Sequence, residues 1–176
     1  MRKLKNSELN RKNTEEFKKA DKLPFVVILD NIRSMHNIGS VFRTCDALLI
    51  DKMYLCGITA IPPHKDIHKT ALGAQDTMEW TYIDNSVDLV KTLKDQGYII
   101  VSIEQTEGST SLSDFCINSD QKYALIFGNE IKGVDQKVID QSDFCIEIPQ
   151  YGTKHSFNIS VSVGIVLWEL TNKGRK

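Results

Sequence analysis

Five apolar runs punctuate the chain, at residues 25–29, 52–56, 98–103, 123–127 and 144–148. They are rich in Val, Ile, Tyr and Phe and lack sustained alternation with polar positions. Strands covered on both faces have this pattern, as in a parallel sheet. Helical patterns fall between them. Residues 40–49 follow a break at Gly39, with Ser40 as a predicted N-cap, and residues 86–96 run from Ser86 to a stop at Gly97. Residues 66–72 and 135–141 are shorter helical candidates. Strands alternating with helices predict an α/β domain. Residues 158–172 fit both periods, through Ile159, Val161, Val163, Ile165 and Leu167 or through Ile159, Val163, Val166, Leu167 and Leu170. Fifteen residues is long for a strand, so a helix is expected.

The 176 residues suit one domain, and 41% hydrophobic residues suffice for a sizeable core. No apolar run is long enough to span a bilayer, and the charged start MRKLKNSELN lacks the apolar stretch of a secretory signal. A cytoplasmic location is expected. The four cysteines (Cys45, Cys56, Cys116, Cys145) show no metal-ligand spacing and sit beside apolar neighbours, so each is expected to act as a small buried hydrophobe. His64 and His68 could share a helix face, but two ligands do not make a metal site, and no metal is expected.

The net charge of −1 argues against a strong, unspecific nucleic-acid binder. The charge is uneven, however. Residues 1–22 hold eight basic and four acidic groups, leaving fourteen basic against nineteen acidic in the rest. A basic arm (1–22) ahead of a mildly acidic body (23–176) could touch phosphate, although charge alone fits a solvated leader helix as well.

There is no Gly-x-Gly-x-x-Gly after the first strand, no Walker-type phosphate loop and no Gly-x-Ser-x-Gly elbow. Three other segments place glycines and polar residues directly after predicted strands, the edge where open α/β sheets bind ligands. DNIRSMHNIGSVFRTCDA puts Asn37 and Gly39 in a turn and Arg43 about one helical turn beyond Ser40. LIFGNEIKGV ends a buried strand in Gly128, Asn129 and Glu130, with Glu130 free to accept from a cation or an amine. IPQYGTKHSFNISVSVG turns at Pro149 and Gly152, and Ser156 or Asn158 could cap the helix that follows.

Together these segments resemble the three motifs of the SpoU/TrmH-like RNA 2′-O-methyltransferases of the SPOUT superfamily. Asn37, Gly39 and Arg43 match N-x-G-x-x-x-R. Phe127, Gly128, Glu130 and Gly133 match F-G-x-E-x-x-G. Ile148, Pro149, Gly152, Ser156, Asn158, Ser160 and Ser162 match the third. Val163 stands where a small residue is common, and Phe157 replaces the usual leucine between Ser and Asn. The resemblance runs from about Phe25 to the C-terminus. It implies a mostly parallel sheet with helices on both faces and a C-terminal deep trefoil knot. It implies S-adenosylmethionine as cofactor, bound through Gly128, Ile148 and Phe157, with the turn from Glu104 to Thr106 adding to the adenosine site. It implies a homodimer that completes the active site across its interface, where the first-motif helix and the final helix pack.

The implied reaction methylates a ribose 2′-hydroxyl in RNA, since DNA lacks that group. The family arginine, matched by Arg43, is the proposed activator of the hydroxyl. A guanidinium is a pure donor, so holding a phosphate and stabilising the developing alkoxide is its physically simpler role. Asn37, Glu130, Ser156 and Asn158 would orient Arg43, the ribose or the donor. Transfer RNA and ribosomal RNA are both open, and the small undecorated chain leans to tRNA. The alternatives are a base-methylating enzyme on the same fold, a non-catalytic RNA-binding protein, and an α/β protein binding some other nucleotide.

Overall fold

The computed structural model describes residues 1–175. Among them the strands are β1 (Leu23–Asp30), β2 (Ile50–Cys56), β3 (Glu79–Ile83), β4 (Tyr98–Ile103), β5 (Thr110–Ser111), β6 (Lys122–Phe127) and β7 (Phe144–Glu147). They form one sheet in the order β3-β2-β1-β6-β4-β7-β5, with every pairing parallel. The helices are α1 (Thr14–Lys19), α2 (Met35–Ala47), α3 (Lys65–Ala71), α4 (Ala74–Thr77), α5 (Ser86–Asp95), α6 (Gln136–Ile139) and α7 (Ile159–Gly174).

The unbroken apolar runs have a direct cause. In β1, Phe25, Val27 and Leu29 point into one core cluster and Val26 and Ile28 into the other. The first cluster is closed by α2, α3 and α7 through Ile38, Phe42, Ile67, Val163 and Leu167. The second is closed by α5 and α6 through Leu89, Val90, Leu93 and Val138. Helices cover both faces, so no face of the central strands needs polar residues.

The five apolar runs match β1, β2, β4, β6 and β7 to within two residues at each end. β3 and β5 escape sequence inspection because they are edge strands, and β3 (EWTYI) is partly exposed along its length. The ambiguous C-terminal stretch is helix α7, with Asn158 as its N-cap. Helix α5 is capped by Asn85 rather than Ser86.

The first motif needs a larger correction. Helix α2 begins at Met35 behind the N-cap Ser34, so Asn37 and Gly39 lie inside it rather than in a turn, and Ser40 is no cap. A side chain at Gly39 would run into Thr70 and the Ile67 carbonyl of α3. Gly39 is therefore a close-packing glycine between two helices, not a helix breaker.

Cys45 and Cys56 are buried as expected, and burial pushes the Cys56 thiol up to about 12. Cys116 is exposed, contrary to expectation, and Cys145 is half-buried. Within residues 1–22, α1 buries Phe17 in the first core cluster. No helix among the described residues is long and apolar enough to cross a membrane, and no group of three or more His, Cys, Asp or Glu among them could hold a metal.

Candidate active site

All strands run the same way, so their C-terminal ends share one edge, where β1, β4, β6 and β7 end at Asp30, Ile103, Phe127 and Glu147. There a cavity of about 510 Å³ opens between the loops after β4, β6 and β7 and the start of α7. That size suits a nucleoside-like ligand.

The loop after β6 is folded tightly on itself. Asn129 N–H donates to the Gly133 carbonyl at 3.0 Å, and Gly133 N–H to the Asn129 carbonyl at 2.9 Å. A Cβ at Gly128 would collide with the Gly133 and Val134 backbone, and one at Gly133, which has φ of 70°, would collide with the Glu104 carboxylate. Both positions therefore require glycine. Glu104 holds the loop from the neighbouring strand by accepting from Val134 N–H at 2.9 Å. The Asn129 side chain accepts from Ile131 and Lys132 N–H and donates to the Asn31 carbonyl at 2.7 Å.

Glu130 is exposed yet firmly held. Its carboxylate accepts from Arg33 N–H at 3.0 Å, from Ser34 N–H at 3.1 Å and, at the 3.5 Å limit, from the Asn37 amide. It thus sits at the N-terminus of α2, where unpaired N–H groups and the helix dipole favour an anion. Partial burial pushes its pKa up, but the backbone donors of Arg33, Glu130 itself and Ser34, with the Asn37 amide, outweigh burial and hold it below the ordinary carboxylate value. Sequence reasoning left this carboxylate free for a cation or an amine. In the folded chain its bonds go to the start of α2.

Asn37 is the junction of the three motifs. Its Nδ2 faces Glu130, and its Oδ1 accepts from Asn158 Nδ2 at 3.2 Å. Asn158 also caps α7, its Oδ1 accepting from Ser160 N–H at 2.9 Å and from the Ser160 hydroxyl at 2.7 Å. Ser156 lines the cavity. So Asn37, Glu130, Ser156 and Asn158 converge. Arg43 does not join them within one chain. It is exposed, does not line the cavity, and lies six residues, or about 9 Å along the helix axis, beyond Asn37.

Of the expected cofactor contacts, Glu104, Gly128, Ile148 and Phe157 line the cavity. Thr106 does not: it lines a neighbouring cavity. The residue turned inward is Gln105, whose amide donates to the His155 carbonyl at 2.9 Å and ties the β4 loop to the loop before α7. Sequence reasoning missed Gln105, Asn129 and His155. Each carried a positional signal, since Gln105 lies within the turn from Glu104 to Thr106, Asn129 inside the second motif and His155 inside the third. The cavity wall is apolar on one side (Ile103, Phe127, Ile146, Ile148, Phe157) and carries Glu104, Glu130 and Glu147 but no Lys or Arg among the described residues. It suits a flat apolar ring and a positive charge together.

The family model of the SpoU rRNA methylases matches residues 24–168. A relative in Staphylococcus saprophyticus, named as a TrmH family tRNA/rRNA methyltransferase, is 31% identical over 156 residues, which is 89% of this chain and 61% of the relative. The chain thus spans less than two thirds of that relative's length. Among solved structures, the A. aeolicus TrmH/SpoU tRNA modifying enzyme superposes with a TM-score of 0.82 at 26% identity, over 92% of this chain and 81% of the other. The AdoMet-bound rRNA methyltransferase from Sinorhizobium meliloti superposes with a TM-score of 0.78 at 24% identity, over 87% and 58%. With the three motifs gathered at one sheet edge and the family model spanning nearly all of the sheet and most of α7, the chain belongs to the SpoU rRNA methylase family.

Proposed function

We propose that this chain methylates a ribose 2′-hydroxyl of structured RNA, with S-adenosylmethionine as donor and tRNA favoured over rRNA as substrate. The carrying observation is the chain of bonds Glu130–Asn37–Asn158, which joins three segments spread over 121 residues beside one acidic, apolar-walled cavity. The residues present fit the donor. Its adenine would lie against Ile148 and Phe157, and its positive charge would sit among Glu104, Glu130 and Glu147. The Sinorhizobium relative holds AdoMet in its own structure.

When bound, the sulfonium supplies an electrophilic methyl group. The chain must then present one sugar oxygen in line with it and help the hydroxyl proton leave as the oxygen–methyl bond forms. Asn158 lines the cavity and is bonded to Asn37 behind it, and its amide is suited to a ribose. Arg43 is assigned to the RNA phosphate and to the developing alkoxide, for which a five-donor cation is suited. Since Arg43 stands outside the cavity of its own chain, this role needs the homodimer, in which two copies complete one site. The deep trefoil knot belongs to the same reading. Its support is that β7 is inserted between β4 and β5, strands consecutive in sequence, and that the segment after β7 is tied to Gln105 in the β4–β5 connection.

The test is nucleoside analysis of RNA from cells lacking the gene, treated with the protein and donor. A 2′-O-methylnucleoside is expected, and a base-methylated one overturns the ribose assignment. Arg43→Ala should lower methyl transfer at least 100-fold while calorimetry shows unchanged binding of S-adenosylhomocysteine. Retained activity removes Arg43 from the reaction.

A further inference from the structure

A second cavity, of about 700 Å³, lies on the other side of the loop after β6, where the loops after β1 and β2 meet it. Asn129, Ile131 and Gly133 line both cavities, so this loop is a wall shared with the candidate active site. The two sides differ in charge. The first cavity carries Glu104, Glu130 and Glu147 and no Lys or Arg among the described residues. The second carries Arg33 and Lys132, together with Asp30 and Asp135.

The acids of the second cavity are engaged. Asp30 is buried, and its Oδ1 accepts from the Asn31 amide at 2.9 Å. Asp135 caps α6, its Oδ1 accepting from Lys137 N–H at 2.8 Å. The two cations are exposed, and their bonds run through the backbone. Arg33 N–H donates to Glu130 at 3.0 Å, and Lys132 N–H to Asn129 Oδ1 at 3.1 Å. Neither charged end has an ion pair among the described residues. The second motif thus fixes the backbone under both cations and leaves their charges available. Ile58 and Ile131, 66% and 75% exposed, stand on the same walls. An exposed apolar pair beside two available cations fits a strand that alternates sugars with anionic phosphates.

We propose that the bound RNA strand passes through this cavity, with a phosphate beside the methylated nucleotide held between Arg33 and Lys132 and the adjoining ribose over Ile58 and Ile131. The inference rests on the reading of this chain as an RNA enzyme, and this phosphate is distinct from the one assigned to Arg43. The cations then set register. A phosphate fixed on one side of the shared wall determines how far the next sugar reaches toward the donor on the other.

Arg33→Ala combined with Lys132→Ala tests the proposal, by filter binding of unfractionated tRNA and of ribosomal RNA over a range of salt. Lys91→Ala combined with Lys122→Ala, on α5 and at the opposite end of β6, removes the same charge elsewhere. The first pair should weaken binding about tenfold at about 0.1 M salt and flatten the slope of log affinity against log salt by about one, as for one lost phosphate contact. The second pair should leave the slope unchanged. Ile58→Ser should weaken binding about threefold with the slope unchanged. Calorimetry with S-adenosylhomocysteine should give the parent affinity for every variant, which checks their folding apart from RNA.

Equal losses from the two pairs, an unchanged slope in the first, or no loss in the first (the result if a protein segment covers this surface) overturns the proposal and leaves the proposed function standing. Unchanged binding in Ile58→Ser overturns the placing of the ribose. The expected slope change in a protein that methylates a base, or methylates no RNA, overturns the proposed function alone.

Discussion

At the residue scale, Glu130 anchors the start of α2 from 96 residues further along the chain, accepting from the N–H of the N-cap Ser34, which a helix leaves unpaired, and from that of Arg33 just before it. A carboxylate there contributes about 1 kcal/mol through the helix dipole and charged hydrogen bonds. Glu130→Gln should therefore lower unfolding stability by about that amount near neutral pH. The folded-state pKa of Glu130 is depressed, so its contribution is full above the ordinary value of 4.5 and fades as pH falls through the folded value. Denaturant unfolding at several pH values should show the gap between parent and variant closing in acid. A gap that persists there would mean that the charge is not what anchors the helix.

At the element scale, α7 depends on Asn158 for two separate bonds. Its oxygen caps the helix, and its amide reaches Asn37. Asn158→Ala should cost about 1 kcal/mol, the usual worth of an N-cap. Asn158→Asp keeps a capping oxygen but loses the donor to Asn37, so it should recover most of that loss. Chemical denaturation of both variants separates the two roles. If the Asp variant is as unstable as the Ala variant, the bond to α2 outweighs the cap. Here sequence pattern fell short. The third motif suggested a cap at Ser156 or Asn158 and left both open, because the choice depends on where the helix starts, and that is set by how Ile159 and Val163 meet the core. Gly39 misled for a related reason. Taken locally, a glycine ends a helix. In the fold it makes room for the backbone of α3.

At the scale of the whole molecule, α7 presents Val161 and Trp168 to solvent, 47% and 62% exposed and two turns apart on one helix. An exposed tryptophan aligned with an exposed valine suits a face that another chain covers. The second copy that Arg43 needs would give that cover. Size-exclusion chromatography with light scattering should find a dimer, and Val161→Asp combined with Trp168→Asp should give a folded monomer with much reduced methyl transfer. A monomeric parent protein removes the partner from the proposal.

The sequence by itself determined the α/β class, five of the sheet's strands and the three motifs, because a strand buried on both faces must be apolar throughout and a backbone that closes on itself must be glycine. It also limited the chemistry to a few polar side chains at strand ends. Only the tertiary structure decided which of those side chains meet. Partners 96 and 121 residues apart are chosen by the order and register of β1, β6, β4 and β7, and no local pattern encodes that order. The same holds for the edge strands, whose partial exposure leaves no apolar run, and for the cavity beside Trp80, which forms only where Pro62, Pro63, α3 and α4 meet.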